Sequence, residues 1–538
     1  MTLAPGVLDG ETAAADLTPQ DADIQDLRAI YERLYPTQHL HYVLRQGVHD
    51  HAPMVEVRER RADLRHHDLG PEFLGVIERP GLEGDKREVT IIAALPRPAR
   101  PDALAPADAP WAPVRRLHWL FRAAPMAYET LRYGAEMARK HRFERRDRRE
   151  QLPFGLASRA VRPLPATDKR PAVLIGLHWL ETGGAERLAI DSVTWAHRAG
   201  LRVFVVASVP SPQRLASRLP QHPDVSFIRL DRHLPHELWT RYLTQLALDE
   251  NIRLVHIHHC IPLYEALPTL RARVPDLRVI DSTHIVEYPN GGFPWISGTW
   301  SRFIDRHHVI SGALRDYLRV FAIPDDKVLL GRMLDRDGVV PRPVRFRAGQ
   351  SSLHVAFVGR LTYQKRPVVL VLIIRALVAW ARRRRVKLRV SLVGDGPFSG
   401  ALEGLLKRYG LQDKVTLLPP QSDVPALLHE ADVLLLPSNN EGLALVCYEA
   451  VAQGCIPIAT RVGSQYELLP DELLVPLAPH RTVRGMVAAI DRLWRDPDFV
   501  PRMAKDLTAR RTALAADPTA EQILMPLYRQ IATGQEMP

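Results

Sequence analysis

Short apolar runs alternate with longer helix-period segments through two consecutive stretches of this chain, residues 169–345 and 346–515. Runs of this kind are typical of parallel strands that are buried on both faces. Their alternation with helices predicts an α/β fold, with one doubly wound parallel sheet in each stretch. The predicted strands are Ala172–Leu177, Val203–Ala207, Leu254–Ile257, Arg278–Ile280, His354–Val358, Arg389–Val393, Val415–Leu418 and Val433–Leu436. We therefore expect two Rossmann-like domains that face each other across a cleft, with ligands at the carboxyl ends of the strands.

The chain is longer than these two domains require. At about 150 residues per domain, 538 residues predict three to four domains. Residues 1–168 form an N-terminal extension of unassigned role, and residues 516–538 are expected to form a helix that packs back on the N-terminal Rossmann-like domain. Within the extension we predict an amphipathic helix over Asp23–Leu34, a strand over Val89–Leu95 and an extended proline-rich connector over 96–113.

Basic residues exceed acidic ones, 72 against 61, and several are concentrated in residues 114–150. Val114–Leu131 has the pattern of a basic amphipathic helix, and arginine dominates Arg139–Glu150. One interpretation is a solvated helix packed on a neighbouring domain; the other is a helix that contacts an anionic membrane surface. Nucleic acid is excluded as a partner because the arginine runs lack interleaved aromatic residues or a known reader motif.

Cysteine content and hydropathy favour a cytoplasmic protein. Three cysteines, Cys260, Cys447 and Cys455, exclude a disulfide framework and indicate a reducing compartment. The polar, acidic start of the chain has no secretion-signal pattern. The most apolar run, Pro367–Ala381, is too short to span a bilayer. We expect a cytoplasmic protein that is either free or peripheral on the inner face of the membrane.

Several strand-end loops carry residues suited to a nucleotide. Gly183 and Gly184 follow the first strand of the first domain, where backbone amides at a helix start suit a phosphate or a sugar hydroxyl, although an ordinary turn has the same pattern. Arg360 and Lys365 follow the first strand of the second domain and can converge on one diphosphate. Gly394 lies in a tight turn whose spacing does not match a dinucleotide fingerprint.

Two carboxylates, Glu441 and Glu449, are separated by eight residues near the end of a later strand. If the segment between them is helical, both lie on roughly the same side of the helix. The intervening residues are apolar, so both carboxylates are expected to be buried and to need a partner such as a sugar or ribose hydroxyl.

The order of these motifs resembles family 4 of the retaining glycosyltransferases, which have the GT-B fold. The resemblance covers about residues 170–515 and rests on Gly183-Gly184-Ala185-Glu186-Arg187, on Gly359-Arg360-Leu361 with Lys365, and on Glu441-x7-Glu449. It implies a hexosyltransferase-type enzyme that moves a sugar from a nucleotide-sugar donor to a glycan or lipid-linked acceptor, without metal or cofactor, in cell-surface polysaccharide or glycolipid synthesis. One departure is Arg366, where the family usually has a glycine.

The resemblance also implies roles for individual residues. Arg360 and Lys365 would hold the donor diphosphate, Glu441 the donor sugar, and Glu449 the ribose hydroxyls. The implied catalytic residues are Glu441, His284, Arg360 and Lys365. The implied donor-binding residues are Gly183, Gly184, Arg360, Lys365, Gly394, Glu441, Gly442, Leu443 and Glu449, with His256 and His258 in a secondary role. Two alternatives remain open at this point: a GT-B sugar-nucleotide epimerase, and a degenerate GT-B domain that binds sugar nucleotides as a scaffold.

Overall fold

A computed structural model of the chain describes residues 19–47, 55–62, 72–95, 117–144, 169–181, 183–274, 276–287, 291–333 and 341–535. The proline-rich connector predicted over 96–113 lies outside these residues, as do residues 145–150 at the charged end of segment 114–150. The chain divides into two compact units. The first comprises residues 1–103, 156–279 and 528–538, and the second comprises residues 104–155 and 280–527.

The N-terminal extension contains a helix and a small sheet. Helix α1 (Pro19–Leu34) buries Leu27, Ile30 and Tyr31, which helical spacing places on one face. Strands β1 (His39–Gln46), β2 (Val55–Arg58), β3 (Phe73–Arg79) and β4 (Glu88–Leu95) form a sheet of order β2-β4-β1-β3. The predicted helix and the predicted strand at 89–95 are confirmed, whereas β1, β2 and β3 were not predicted.

The basic segment forms two helices, α2 (His118–Ala123) and α3 (Pro125–Glu144). The prediction of one helix over Val114–Leu131 is therefore wrong in its extent. Proline lacks an amide hydrogen and clashes with the preceding turn, so Pro125 can begin a helix but cannot continue one.

The first Rossmann-like sheet has seven strands in the order β11-β10-β9-β8-β5-β6-β7. Strand β5 pairs in parallel with both β6 and β8, so the strand order reverses between β5 and β8. Its strands are β5 (Ala172–Leu177), β6 (Arg202–Ala207), β7 (Val225–Ile228), β8 (Ile252–His258), β9 (Arg278–Thr283), β10 (Arg306–Val309) and β11 (Val328–Leu330). The helices of this region are α4 (Gly184–Arg198), α5 (Leu230–His233), α6 (Trp239–Asp249), α7 (Ile261–Arg273), α8 (Gly292–Trp300) and α9 (Gly312–Arg319).

The second Rossmann-like sheet has six parallel strands in the order β14-β13-β12-β15-β16-β17. Here the order reverses between β12 and β15, and such a reversal is where open α/β sheets bind ligands. The strands are β12 (Ser352–Val358), β13 (Lys387–Val393), β14 (Val415–Leu418), β15 (Val433–Leu436), β16 (Ile456–Thr460) and β17 (Leu474–Val475). The helices are α10 (Pro367–Arg384), α11 (Ser399–Arg408), α12 (Val424–Glu430), α13 (Leu445–Ala452), α14 (Gln465–Leu468), α15 (Pro479–Arg495), α16 (Phe499–Ala516) and α17 (Ala520–Ala532).

The last helix, α17, returns to the first Rossmann-like sheet. Tyr528 is fully buried, and its hydroxyl lies 2.6 Å from Nδ1 of His256 on β8. At the start of the helix, the Ala520 amide donates to the Arg332 carbonyl at 2.8 Å. Among the described residues, no helix combines the length and the apolar character needed to cross a membrane.

Candidate active site

A buried ion pair joins the two loops at the reversal point of the second Rossmann-like sheet. Lys365 lies in the loop after β12, and its Nζ is 2.6 Å from Oε1 of Glu441, in the loop after β15. Glu441 is only 4% exposed. The two residues are 76 positions apart in sequence, and they meet because β12 and β15 are neighbouring parallel strands. The ion pair thus joins two of the four predicted catalytic residues.

Backbone contacts hold these two loops together beside the ion pair. The Asn439 amide donates to the Gln364 carbonyl at 2.8 Å, and the Gln364 side-chain amide donates to the Asn440 carbonyl at 2.8 Å. Each of these residues is adjacent or nearly adjacent to Lys365 or Glu441. The geometry of the pair is therefore set by the backbone as well as by charge.

Gly442 permits close packing of the loop that carries His284. A Cβ at Gly442 would lie 2.0 Å from the His284 carbonyl oxygen, so only glycine fits there. His284 directly follows β9 and is buried. On the other side, the amide and hydroxyl of Ser464 both donate to the Gly442 carbonyl. Glu441, Gly442 and His284 thus lie in one packed cluster, and Leu443 next to them is also buried.

Arg360 lies in an exposed part of the loop after β12, which rests against the turn that contains Gly394. Gly394 has a φ of +143°, and a Cβ there would lie 2.0 Å from the Gly359 carbonyl oxygen. The Leu361 amide also donates to the Asp395 carbonyl at 2.8 Å. Gly394 therefore supports the loop of Arg360 by allowing the two backbones to touch.

The prediction that Glu441 and Glu449 share one buried helix face is wrong. Helix α13 begins only at Leu445, after Ala444 with a φ of +44°, so Glu441 lies in the preceding loop. The buried residues of α13 include Cys447, Tyr448 and Ala450, whereas Glu449 is exposed. The helical geometry assumed between the two glutamates therefore does not exist.

Sequence reasoning missed the contribution of helix α3 to this site. Tyr363 and Arg366 lie on either side of Lys365 in the sequence, and Tyr363 contacts α3. The guanidinium carbon of Arg132 lies 3.3 Å from the centre of the Tyr363 ring. Burial, together with the Glu136 carboxylate on α3, raises the pKa of Tyr363 far above its usual value.

Arg366 is buried and adopts a left-handed backbone conformation, with a φ of +53°. That conformation favours glycine, which explains why a glycine suits this position. The Arg366 guanidinium donates to the Leu477 carbonyl at 2.9 Å and is attracted by the buried carboxylate of Glu129 on α3. Burial lowers the pKa of Arg366 and raises that of Glu129. The helical spacing of Glu129, Arg132 and Glu136 was the signal that could have revealed this face.

Gly183 and Gly184 lie in the first unit, at the start of α4. Gly183 is the residue before the helix and Gly184 its first residue. A Cβ at Gly183 would lie 2.1 Å from Oε2 of Glu186, whose other oxygen accepts a bond from the Trp179 indole at 2.7 Å. This loop therefore forms a compact helix start, and the side chain of Glu186, from the same motif, packs against it.

His256 and His258 lie on β8 in the first unit and are buried. Their rings are 4.2 Å apart between centroids, and His256 contacts the Tyr528 hydroxyl. His256 thus contacts the C-terminal helix as well as His258.

Two family models match consecutive parts of the chain. The model described as Glycosyltransferase Family 4 matches residues 182–330, and the model described as Glycosyl transferases group 1 matches residues 346–510. Together they cover both Rossmann-like sheets.

Curated relatives match a smaller part. The chain is 31% identical over 191 residues to the putative colanic acid biosynthesis glycosyltransferase WcaL of Escherichia coli K12, covering 33% of this chain and 46% of that protein. It is 32% identical over 181 residues to the D-inositol 3-phosphate glycosyltransferase of Actinosynnema mirum, covering 32% of this chain and 43% of that protein. The matched region thus spans less than half the length of either relative.

Among solved structures, the sucrose-phosphate synthase of Thermosynechococcus elongatus superposes with a TM-score of 0.50 at 21% sequence identity. The match covers 68% of this chain and all of that one, and it shows a shared fold. With two consecutive family models over two Rossmann-like sheets, and this fold, the chain belongs to the group 1 glycosyltransferases of family 4, which have the GT-B fold.

Proposed function

We propose that this protein is a retaining glycosyltransferase that moves a sugar from a nucleotide-sugar donor to a glycan or lipid-linked acceptor. The observation that carries the proposal is the Lys365–Glu441 pair at the reversal point of the second sheet. In a nucleotide sugar the reactive bond joins a diphosphate to a sugar. A cation at this position suits the diphosphate, and a carboxylate suits the sugar hydroxyls. Glu449, exposed on α13, is proposed to contact the ribose hydroxyls.

In the proposed reaction, the acceptor hydroxyl attacks the anomeric carbon on the face from which the diphosphate leaves. The new sugar–oxygen bond forms as the sugar–phosphate bond breaks, and the acceptor proton passes to the leaving phosphate. Lys365 and Arg360 stabilise the negative charge that develops on that phosphate, so no metal is required for this step. Glu441 orients the donor sugar, and His284 lies beside it.

The names of two relatives support the proposed acceptor class. WcaL is named for colanic acid biosynthesis, and the Actinosynnema protein for glycosylation of D-inositol 3-phosphate. We propose that this protein likewise works in the synthesis of a cell-surface polysaccharide or glycolipid.

The test is transfer activity of the purified chain with a panel of nucleotide sugars and acceptors. Nucleoside diphosphate should be released, and Lys365→Ala or Glu441→Ala should abolish the release. Glu430→Gln, in the exposed pair with Arg389, is the matched control and should be fully active. Unchanged activity in both site variants would contradict the site. Conversion of the donor without an acceptor would indicate the epimerase, and binding without turnover the scaffold.

We also propose that segment 114–150 brings the protein to an anionic membrane. Trp119 and Leu131 are 65% and 57% exposed, and Arg139 and Arg142 are exposed on the same helix as Leu131. Exposed apolar bulk next to arginine is typical of interfacial helices. Co-sedimentation with phosphatidylglycerol vesicles should be lost in Trp119→Ser/Leu131→Ser and kept in the control Leu417→Ser, another exposed leucine. Equal binding by both variants would contradict this contact.

A further inference from the structure

We infer that helix α3 positions the donor-phosphate loop, with Glu129, Arg132 and Glu136 acting through Tyr363 and Arg366 on Lys365. This inference rests on the proposed function, because it assigns α3 a role in presenting Lys365 to the diphosphate. Residues 125–144 lie outside both family-model matches, so nothing in the family assignment covers them.

Helix α3 acts on residues on both sides of Lys365. Two residues before it, the Tyr363 ring is covered by the Arg132 guanidinium at 3.3 Å, and the Glu136 carboxylate acts electrostatically on the Tyr363 hydroxyl. Directly after it, the buried Arg366 is attracted by the charge of Glu129, a buried carboxylate on α3. A residue with α3 acting on both sides of it has little freedom to move its backbone. The position of Lys365 is therefore tied to the position of α3.

Charge links Arg366 to Glu129. The buried Arg366 guanidinium donates from Nη1 to the Pro437 and Leu477 carbonyls, which are neutral acceptors and do not balance its charge. The buried carboxylate of Glu129 favours the charged form of Arg366. A buried cation that loses its counter-charge is strongly destabilised and tends to move toward water. Since Arg366 also has a left-handed backbone, such a movement would displace Lys365 next to it.

The helix itself is fixed to the second Rossmann-like sheet. It packs on α10 and α15, and the Arg408 guanidinium of α11 donates to the Arg122 and Ala123 carbonyls at the end of α2. The three charged residues thus extend from a rigid support, as is needed to hold a catalytic cation in place.

The experiment compares Glu129→Gln with the matched control Glu144→Gln, which lies at the exposed end of the same helix. Both are made as full-length chains, in the wild-type and in the Lys365→Ala background. Dissociation constants for UDP and GDP are measured by calorimetry, donor KM and kcat by turnover, and folding by thermal melting. We expect Glu129→Gln to weaken diphosphate binding and raise the donor KM by about tenfold or more, because misplacement by about 1 Å can cost up to about 10²-fold. Glu144→Gln should change neither.

The decisive measurement is the effect of Glu129→Gln on diphosphate binding in the Lys365→Ala background. If Glu129 acts by positioning that cation, Glu129→Gln has no further effect on diphosphate binding in the Lys365→Ala background. Equal effects in both backgrounds, or a folded Glu129→Gln protein with wild-type KM, would overturn the inference while leaving the proposed function intact. A wild-type protein that neither binds nor turns over any nucleotide sugar would overturn both. Tyr363→Phe, which removes only the hydroxyl, should show the same dependence on Lys365.

A different observation, in the first unit, carries a second inference. We propose that His39, His41 and Glu78 form a binding site for a divalent transition metal of the zinc type, with Glu88 beside it. His39 and His41 are two residues apart on β1 and therefore point to the same face of the sheet. Glu78 on β3 is the register partner of His41, and Glu88 on β4 is the partner of His39. Three adjacent strands thus place four ligand-type side chains on one face.

The distances suit a metal ion. Ligand atoms of His39, His41 and Glu78 all lie within 4.8 Å of one another. His41 Nδ1 is 3.1 Å from Glu78, His39 Nε2 is 3.9 Å from Glu78, and His41 Nε2 is 3.6 Å from Glu88. Ligands of a tetrahedral zinc ion, with bonds of about 2.0–2.1 Å, are about 3.3 Å apart. Nε2 of His39 is buried without a hydrogen-bond partner, which a metal bond would satisfy, and Nδ1 of His41 is the nitrogen that faces Glu78. Such a metal would be structural and separate from sugar transfer.

Zinc titration of the full-length, chelator-treated protein tests this site. The wild-type chain should bind one equivalent that His39→Ala/His41→Ala does not bind, and zinc should raise the melting temperature of the wild-type chain only. The matched control is His197→Ala/His222→Ala, which disrupts the other histidine–aspartate cluster, near Asp224. Equal zinc binding by His39→Ala/His41→Ala and wild type, or no zinc bound by wild type, would overturn the site.

Discussion

Neutralising Glu441 should strengthen diphosphate binding and at the same time lower the rate of sugar transfer. In the structure, Lys365 is already paired with Glu441, so an incoming diphosphate must compete with that carboxylate. At 2.6 Å the Coulomb attraction is about 6 kcal/mol at an effective dielectric of about 20, and about 1.6 kcal/mol in bulk water. The incoming diphosphate replaces the carboxylate as the partner of Lys365 and restores most of the attraction, so the net gain from removing Glu441 is expected near the lower figure. Since about 1.4 kcal/mol is tenfold in affinity, Glu441→Gln should bind UDP or GDP about tenfold more tightly.

Lys365→Ala should have the opposite effect on binding. It should weaken diphosphate binding and lower kcat by about 10²–10³, because it removes a charge that stabilises the leaving phosphate. Glu441→Gln should also lower kcat, since its contact with the donor sugar is lost, although it binds diphosphate better. Calorimetry with UDP and GDP, together with single-turnover transfer, measures both quantities. If Glu441→Gln weakened binding as much as Lys365→Ala does, the competition between carboxylate and phosphate would be refuted. Glu430→Gln should match wild type in both assays.

Three further predictions concern stability. Gly442→Ala should destabilise the fold and abolish transfer, because its Cβ would lie 2.0 Å from the His284 carbonyl oxygen. Gly404 lies in a helix with open space around it, so the control Gly404→Ala should raise the free energy of urea unfolding by about 0.5–1 kcal/mol. Burial lowers the pKa of His308 from 6.5 to about 4, so below pH 6.5 the unfolded chain binds a proton that the folded chain does not. The unfolding free energy should therefore fall by up to about 3 kcal/mol from pH 7 to pH 4. This fall should be smaller in His308→Gln. Tyr528→Phe should cost about 1 kcal/mol in thermal unfolding, because it removes the 2.6 Å contact with His256, and an unchanged melting temperature would count against that contact.

The strands that could be predicted are those buried on both faces, since burial makes them continuous apolar runs. Eight of the nine predicted strands lie in the two parallel sheets, and the ninth, Val89–Leu95, corresponds to β4 of the N-terminal sheet. Strand β10 was missed because Arg306–Val309 is mostly polar. Its His307 lies 2.9 Å from Asp281 on the neighbouring strand β9, and His308 lies 2.9 Å from Ser282. A strand that is buried through polar partners on another strand has no local apolar signal.

Strands β1, β2 and β3 of the extension were missed for a different reason. In β1 the alternation of polar and apolar residues stops at Tyr42-Val43-Leu44, and the strand pairs with β4, far along the sequence. On β3, Leu74 and Val76 are exposed, so apolar character there does not mark the core. Local pattern alone therefore did not separate these strands from irregular structure.

At the candidate site, the sequence placed Lys365 and Glu441 in loops that follow strands, but it did not indicate that these loops touch. Lys365 and Glu441 were assigned to different parts of the donor, and neither spacing nor charge indicates that they are 2.6 Å apart. That proximity depends on β12 and β15 being neighbours across the reversal of strand order. The helix assumed between Glu441 and Glu449 failed because Ala444 adopts a positive φ, which no propensity of alanine predicts.

The two faces of α3 also determine how the extension can be studied. One face carries Glu129 and Arg132 against the loop of Lys365, and the opposite side exposes Leu131 near a basic helix end. Deleting residues 114–150 would remove both faces at once, so lost membrane binding would be accompanied by a displaced Lys365 and an uncompensated Arg366. Substitution of exposed residues alone changes the outer face and leaves the inner contacts in place. For this reason a loss of vesicle binding with unchanged donor KM identifies a membrane contact, whereas a raised KM with unchanged vesicle binding identifies the positioning role.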